Sequence, residues 1–109
     1  MTRRVGTQDE LPTGALDAIE FDFSGSFPEG SASGIASVAT TFTVARGVDA
    51  TPEALEADAP QINGQSVFIY VQGSVPNVTY LIDCLATTNE AVPRVLPAAC
   101  YLPVVPRQT

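Results

Sequence analysis

The 109-residue chain contains no histidine, no lysine and no tryptophan. Without histidine it lacks the one side chain that ordinarily changes charge near neutrality, and the imidazole ligand of most zinc and copper sites. Without lysine, Schiff-base chemistry and the phosphate-loop ammonium are excluded. Without tryptophan, the largest aromatic face for stacking on a sugar is missing. Cysteine occurs twice, at Cys84 and Cys100, too seldom for a disulfide-rich scaffold. There is no run of about 18 apolar residues, so no transmembrane helix is read. The opening segment, Met1 to Glu10, has Arg3 and Arg4 but no apolar stretch behind them. It does not read as a secretory signal, and the chain is expected to be made in the cytoplasm as a soluble domain.

Positive charge is scarce as well. Five arginines stand against twelve acidic residues, giving a net charge of −7. Such a surface disfavours nucleic acid and anionic membrane as partners. The length suits one domain and is too short for two.

What the sequence does have is punctuation and alternation. Nine prolines and eight glycines divide it into short segments. Four of these alternate with period two, the strand signature. Ile19, Phe21 and Phe23 share a face, against Glu20 and Asp22. Val38, Phe42 and Val44 oppose Ala39, Thr41 and Thr43. Val67, Ile69 and Val71 oppose Phe68 and Tyr70. Val78, Tyr80, Ile82, Cys84 and Ala86 form the longest apolar row. A fifth segment, 94–105, carries Pro97 and Pro103, which suit an edge strand because proline cannot donate to a ladder. Only 51–57 looks helical, with Thr51 as a cap and Pro52 at the first helical position. The expected fold is all-β: a single immunoglobulin-like β-sandwich of about seven short strands, with a short helical turn near 52–57. Residues 1–15 are expected to form an extended N-terminal arm, 16–106 the sandwich and 107–109 a tail.

A register follows if Cys84 and Cys100 are cross-strand neighbours. Ile82 then faces Leu102, Tyr80 faces Val104 and Ala86 faces Ala98, all apolar pairs on one face. The two thiols are expected in the core, as thiols or as a disulfide; with no histidine or lysine nearby, nothing depresses their pKa. No spacing among the carboxylates singles out an acid–base pair. Asp49, Glu53, Glu56 and Asp58 cluster in one connection, where Ca²⁺ is conceivable, although no loop of ligand spacing is present. No catalytic residue, cofactor or metal is expected. The candidate partner-binding residues are Arg3 and Arg4, as a docking point for an acidic partner, with Phe68 and Tyr70 on an outward strand face.

Several segments carry a resemblance. They are Phe21-Asp22-Phe23-Ser24-Gly25, Gly47-Val48-Asp49-Ala50-Thr51-Pro52-Glu53, and Pro60-Gln61-Ile62-Asn63-Gly64 leading into Val67–Val71. Gly73-Ser74-Val75-Pro76-Asn77-Val78-Thr79-Tyr80-Leu81 and Cys84-Leu85-Ala86-Thr87-Thr88-Asn89-Glu90 follow. Over about residues 16–105 the layout resembles small virion proteins of tailed bacteriophages that have an immunoglobulin-like or fibronectin-like sandwich. It departs at Pro76-Asn77, where such proteins often have a second glycine, and at 89–94, which lacks an Asp-Gly turn. The resemblance implies a non-enzymatic structural protein of the virion, assembled in the host cytoplasm. A capsid decoration protein on the major capsid protein comes first. A head–tail connector, collar or tail component comes next, and either would be a homo-oligomer or multi-copy. From another class, a carbohydrate- or receptor-binding module would use Phe68, Tyr70 and Tyr101.

Overall fold

The computed structural model describes residues 2–4, 10–73 and 75–106. In chain order their strands are β1 (Thr2–Arg4), β2 (Leu11–Pro12), β3 (Leu16–Asp22), β4 (Ile35–Arg46), β5 (Gln61–Asn63), β6 (Ser66–Gln72), β7 (Val78–Thr88) and β8 (Val95–Val105). They form two four-stranded sheets, ordered β1-β3-β6-β5 and β2-β8-β7-β4. The sheets pack as a β-sandwich. Pairing is antiparallel except where β1 joins β3 and β2 joins β8, which are parallel.

The four alternating segments are strands with the faces expected. Ile19, Phe21, Val67, Ile69 and Val71 of one sheet meet Phe42, Tyr80, Ile82, Cys84 and Ala86 of the other, all buried. Truncating a fully buried Ile69 to alanine is expected to cost roughly 2–5 kcal/mol, through lost transfer energy and the cavity left behind.

One expectation changes at the N-terminus. Residues 2–4 and 11–12 are strands within the two sheets, and Leu11 is wholly buried in the core. The packed domain therefore includes part of the stretch read as an arm. A lone leucine among polar residues gives no periodicity, which is why pattern alone misses it. The helical expectation is met by a single 3-10 turn, Pro52–Leu55, with no side-chain cap from Thr51. Instead the Thr51 N–H donates to Asp49 Oδ1 at 2.9 Å. The turn inserts Leu55, 2% exposed, into the flank of the sandwich. Just beyond it, the Ala57 N–H donates to the Tyr70 carbonyl at 2.8 Å, and Thr40 Oγ1 bonds Glu56 Oε2 at 3.3 Å. This connection ties the edge of β4 to β6 and closes one side.

The register of β7 with β8 also differs from the expectation. Ile82 faces Cys100, Cys84 faces Ala98, and Tyr80 faces Leu102. The shift is two residues, so the same side chains still point inward, but the cysteines are diagonal neighbours. Their pairing gave way to the connection at 89–94, which fixes the ends of both strands. There the Thr88 N–H donates to the Arg94 carbonyl and the Arg94 N–H to Thr88 Oγ1, both at 2.9 Å. Arg94 Nε bonds Glu90 Oε1 at 2.7 Å, and its guanidinium lies 5.5 Å from the Phe27 ring centre. Side chains thus do the work of the missing Asp-Gly turn.

At the other end, Asn77 takes the left-handed conformation with φ 63°, filling the role of the absent glycine. Gly34 is needed for a different reason. A Cβ there would lie 2.6 Å from the Gly64 carbonyl oxygen, which accepts the Ile35 N–H at 2.9 Å.

On its far side β8 pairs, among the described residues, only at Val104 and Val105. The Asn77 N–H donates to the Val104 carbonyl toward β7, and the Thr13 N–H to the Val105 carbonyl on the opposite side. Odd-numbered residues of β8 therefore turn their backbone polar groups away from β7. Pro97 and Pro103 fall at such positions and remove two donors from the open edge, as expected of edge prolines.

Candidate functional site

The outer face of the first sheet holds Phe68 and Tyr70, two of the sequence-derived partner residues. Phe68 and Tyr70 alternate with the buried Val67, Ile69 and Val71 and are half-buried on the outward side. In register, Glu20 stands opposite Phe68, and Ala18 opposite Tyr70. One strand further, Arg4 is level with Glu20 and Arg3 with Ile19. The topology therefore brings all four candidates, Arg3, Arg4, Phe68 and Tyr70, onto one sheet.

Between β3 and β5 this face sinks into an open depression of about 590 Å³. Leu16, Ala18, Ile62, Phe68 and Tyr70 supply its apolar surface, and Gln61 and Asn63 its amides. Asp17 also lines it, with Oδ1 accepting the Ala18 N–H at 2.9 Å. The strand β5 was missed in the sequence because Gln61-Ile62-Asn63 is too short to alternate and leads straight into Gly64.

The second sheet presents a different outer face, of which sequence reasoning singled out only Tyr101; the structure thereby separates Tyr101 from Phe68 and Tyr70, which lie on the other sheet. Across β4, β7 and β8 its rows are Ala39–Leu85–Pro97, Thr41–Asp83–Ala99 and Thr43–Leu81–Tyr101. Leu85 is 48% exposed and Tyr101 49%. A register shift between Val44 and Arg46 sets Arg46 opposite Thr79, on this same face. Arg46, Thr79, Tyr101 and Pro103 line a depression of about 360 Å³ there. The signal was partial: the outward side of the β7 alternation carries Leu81 and Leu85 beside Thr79 and Asp83, two leucines that a half-buried strand facing water does not require.

The thiols are both free and buried. Burial pushes Cys84 up to about 12, with the neighbouring Cys100 adding to the shift, and pushes Cys100 up to about 11. Both are therefore protonated and unreactive near neutrality. The acidic cluster does not converge. Asp49 Oδ2 accepts the Tyr80 hydroxyl at 2.5 Å, Glu56 bonds Thr40, and Asp58 Oδ1 accepts the Ala59 N–H. Among the described residues no three acidic or cysteine side chains are placed to share a metal ion. The bond to Tyr80 holds the Asp49 carboxyl below the usual carboxylate range, helped by the Thr51 N–H. Glu90 is likewise lowered, by Arg94 first and then Thr88.

Comparison of the chain with protein families, with curated proteins and with solved structures finds no match.

Proposed function

We propose that this protein is a non-enzymatic structural component of a tailed-bacteriophage virion, built on an immunoglobulin-like sandwich. It would be first a capsid decoration protein bound to the major capsid protein. The strand order supports the fold reading. With β1, β3, β4, β5, β6, β7 and β8 lettered A to G, the sheets run A-B-E-D and G-F-C, the order of an immunoglobulin constant-type domain. The parallel pairing of β1 with β3 departs from that pattern.

The observation that carries the reading is the outer face of the first sheet. It offers a shallow depression around Phe68 and Tyr70, lined by apolar and polar side chains together, on the sheet whose strand β1 carries Arg3 and Arg4. An open groove of this kind suits a strand or loop of a large neighbour better than a small substrate, which a protein usually encloses. The ionisable groups agree with a non-enzymatic role. The thiols are held protonated and Asp49 and Glu90 ionised, so none of these is poised for proton transfer at neutral pH. Repetition over a symmetric shell would turn a weak contact into a durable one.

Quantitative mass spectrometry of purified virions tests this. Hundreds of copies per particle support decoration. About a dozen support a head–tail connector or collar, whose symmetry is low-order. Absence from the particle overturns the reading. Phe68→Asp should lower occupancy without unfolding the chain. The aromatic and amide lining of the same depression favours a second reading, a carbohydrate- or receptor-binding module. Its test is a glycan array, on which Tyr70→Ala should abolish any signal.

A further inference from the structure

The outer face of β4, β7 and β8 carries only two charged side chains, although the chain has seventeen (five Arg, twelve Asp and Glu). They have opposite sign, Asp83 on β7 and Arg46 on β4. Neither has a hydrogen-bond or ion-pair partner among the described residues. Their placement is regular. Measured from the paired residues Thr43 and Leu81, Asp83 lies two residues along β7 in one direction. Arg46, opposite Thr79, lies two residues the other way. The two positions are thus roughly 13 Å apart along the strands and about 4.8 Å apart across them.

We infer that this face binds a second copy of the chain, in a two-fold dimer whose axis lies in the interface and crosses the strands at the Thr43–Leu81 pair. Such an axis exchanges the positions of Asp83 and Arg46. Each Asp83 then meets Arg46 of the other copy, and two reciprocal ion pairs flank a centre of Leu81, Thr43 and Tyr101. The depression beside Arg46, Tyr101 and Pro103 receives the opposing Asp83. From the offsets above, the strands of the two copies cross at roughly 40° from antiparallel, close to the angle of about 30° at which sheets stack in alignment.

Charge chooses this occupant. Two copies of net charge −7 repel wherever acidic faces meet, and this face is internally balanced. Area makes the contact a weak one. Two faces roughly 14 Å wide that cross at about 40° overlap over roughly 300 Å² per copy, in the range of transient rather than permanent interfaces, so the two ion pairs carry the association and its register. The inference is independent of the virion reading, which uses the opposite sheet.

Sedimentation equilibrium of the full chain, over micromolar to millimolar concentrations, tests it. The unmodified chain is expected to dimerise. Asp83→Arg alone and Arg46→Asp alone each bring like charges together and should weaken dimerisation by more than about tenfold. The double exchange, Asp83→Arg with Arg46→Asp, should restore it to within about threefold. Circular dichroism melting of each variant checks that the monomer still folds. A chain that stays monomeric at millimolar concentration overturns the inference. So does a dimer indifferent to the exchanges, or one that the double exchange fails to rescue.

Discussion

Asn89 and Gly34 exchange a reciprocal pair of hydrogen bonds across the end of the sandwich. The Gly34 N–H donates to Asn89 Oδ1, and the Asn89 N–H donates to the Gly34 carbonyl, both at 2.9 Å. The pair joins the start of β4 to the turn between β7 and β8. Asn89→Ala removes one acceptor, and its expected cost is about 1 kcal/mol, because the site is partly solvated. Asn89→Asp keeps the acceptor and should recover most of the loss. Gly34→Ala should cost more than either, since its Cβ would collide with the Gly64 carbonyl. Urea midpoints at unchanged slope measure all three.

A second prediction concerns Tyr80 and Asp49. The hydroxyl bond lowers the carboxyl in the folded state. The stabilisation is therefore complete above the ordinary carboxylate pKa of the unfolded chain and fades as pH falls through the lower, folded value. Tyr80→Phe should lower stability at neutral pH and flatten the loss between neutrality and acid. A Tyr80→Phe protein with an unaltered acid limb would show that the bond contributes nothing.

The buried thiols set the alkaline side. Each is raised from an ordinary value of 9.0, Cys84 to about 12 and Cys100 to about 11. Their contribution is whole below pH 9 and is lost as pH rises toward 11 and 12. Tyr80, also raised above its ordinary value, adds to the same limb. Stability should thus fall steeply above pH 9, and less so in a Cys84→Ala, Cys100→Ala double variant. At pH 7.5 or so, an aromatic disulfide reagent should modify both thiols only at the rate of unfolding.

The prolines of β8 give the fourth. Pro97→Val restores an amide that points off the open edge, beside an exposed Val95. Increased aggregation is expected, read by light scattering, with little change in the melting temperature of the soluble fraction.

The long strands were legible because each buries one face, and burial writes period two into the sequence. Residues 19–23, 38–44, 67–71 and 78–86 all turn the expected faces inward. The strands β1, β2 and β5 have two or three residues, too few for a period to show. The register of β8 was misjudged by two residues, because apolar matching gives the same score to every even offset. What separates the offsets is the side-chain network of Thr88, Glu90 and Arg94, and hydrogen bonds of that kind leave no periodic trace. Of the candidate residues, Phe68 and Tyr70 were found as the polar side's odd aromatics. Arg46 was not, because a local irregularity after Val44 changes which way its position faces.

That irregularity has a further effect. Because an even slip preserves the inside–outside sense of a strand, an insertion or deletion of two residues near 89–94 would leave the hydrophobic interior intact. A change of one residue that passed into the pairing of β7 with β8 would turn it inside out. The extra residue after Val44 is a change of the intolerable kind, accommodated where β4 is about to end. In β4 such single-residue steps stand only near the two ends, at Ile35/Ser37 and Val44/Arg46, and the rungs between them keep strict alternation.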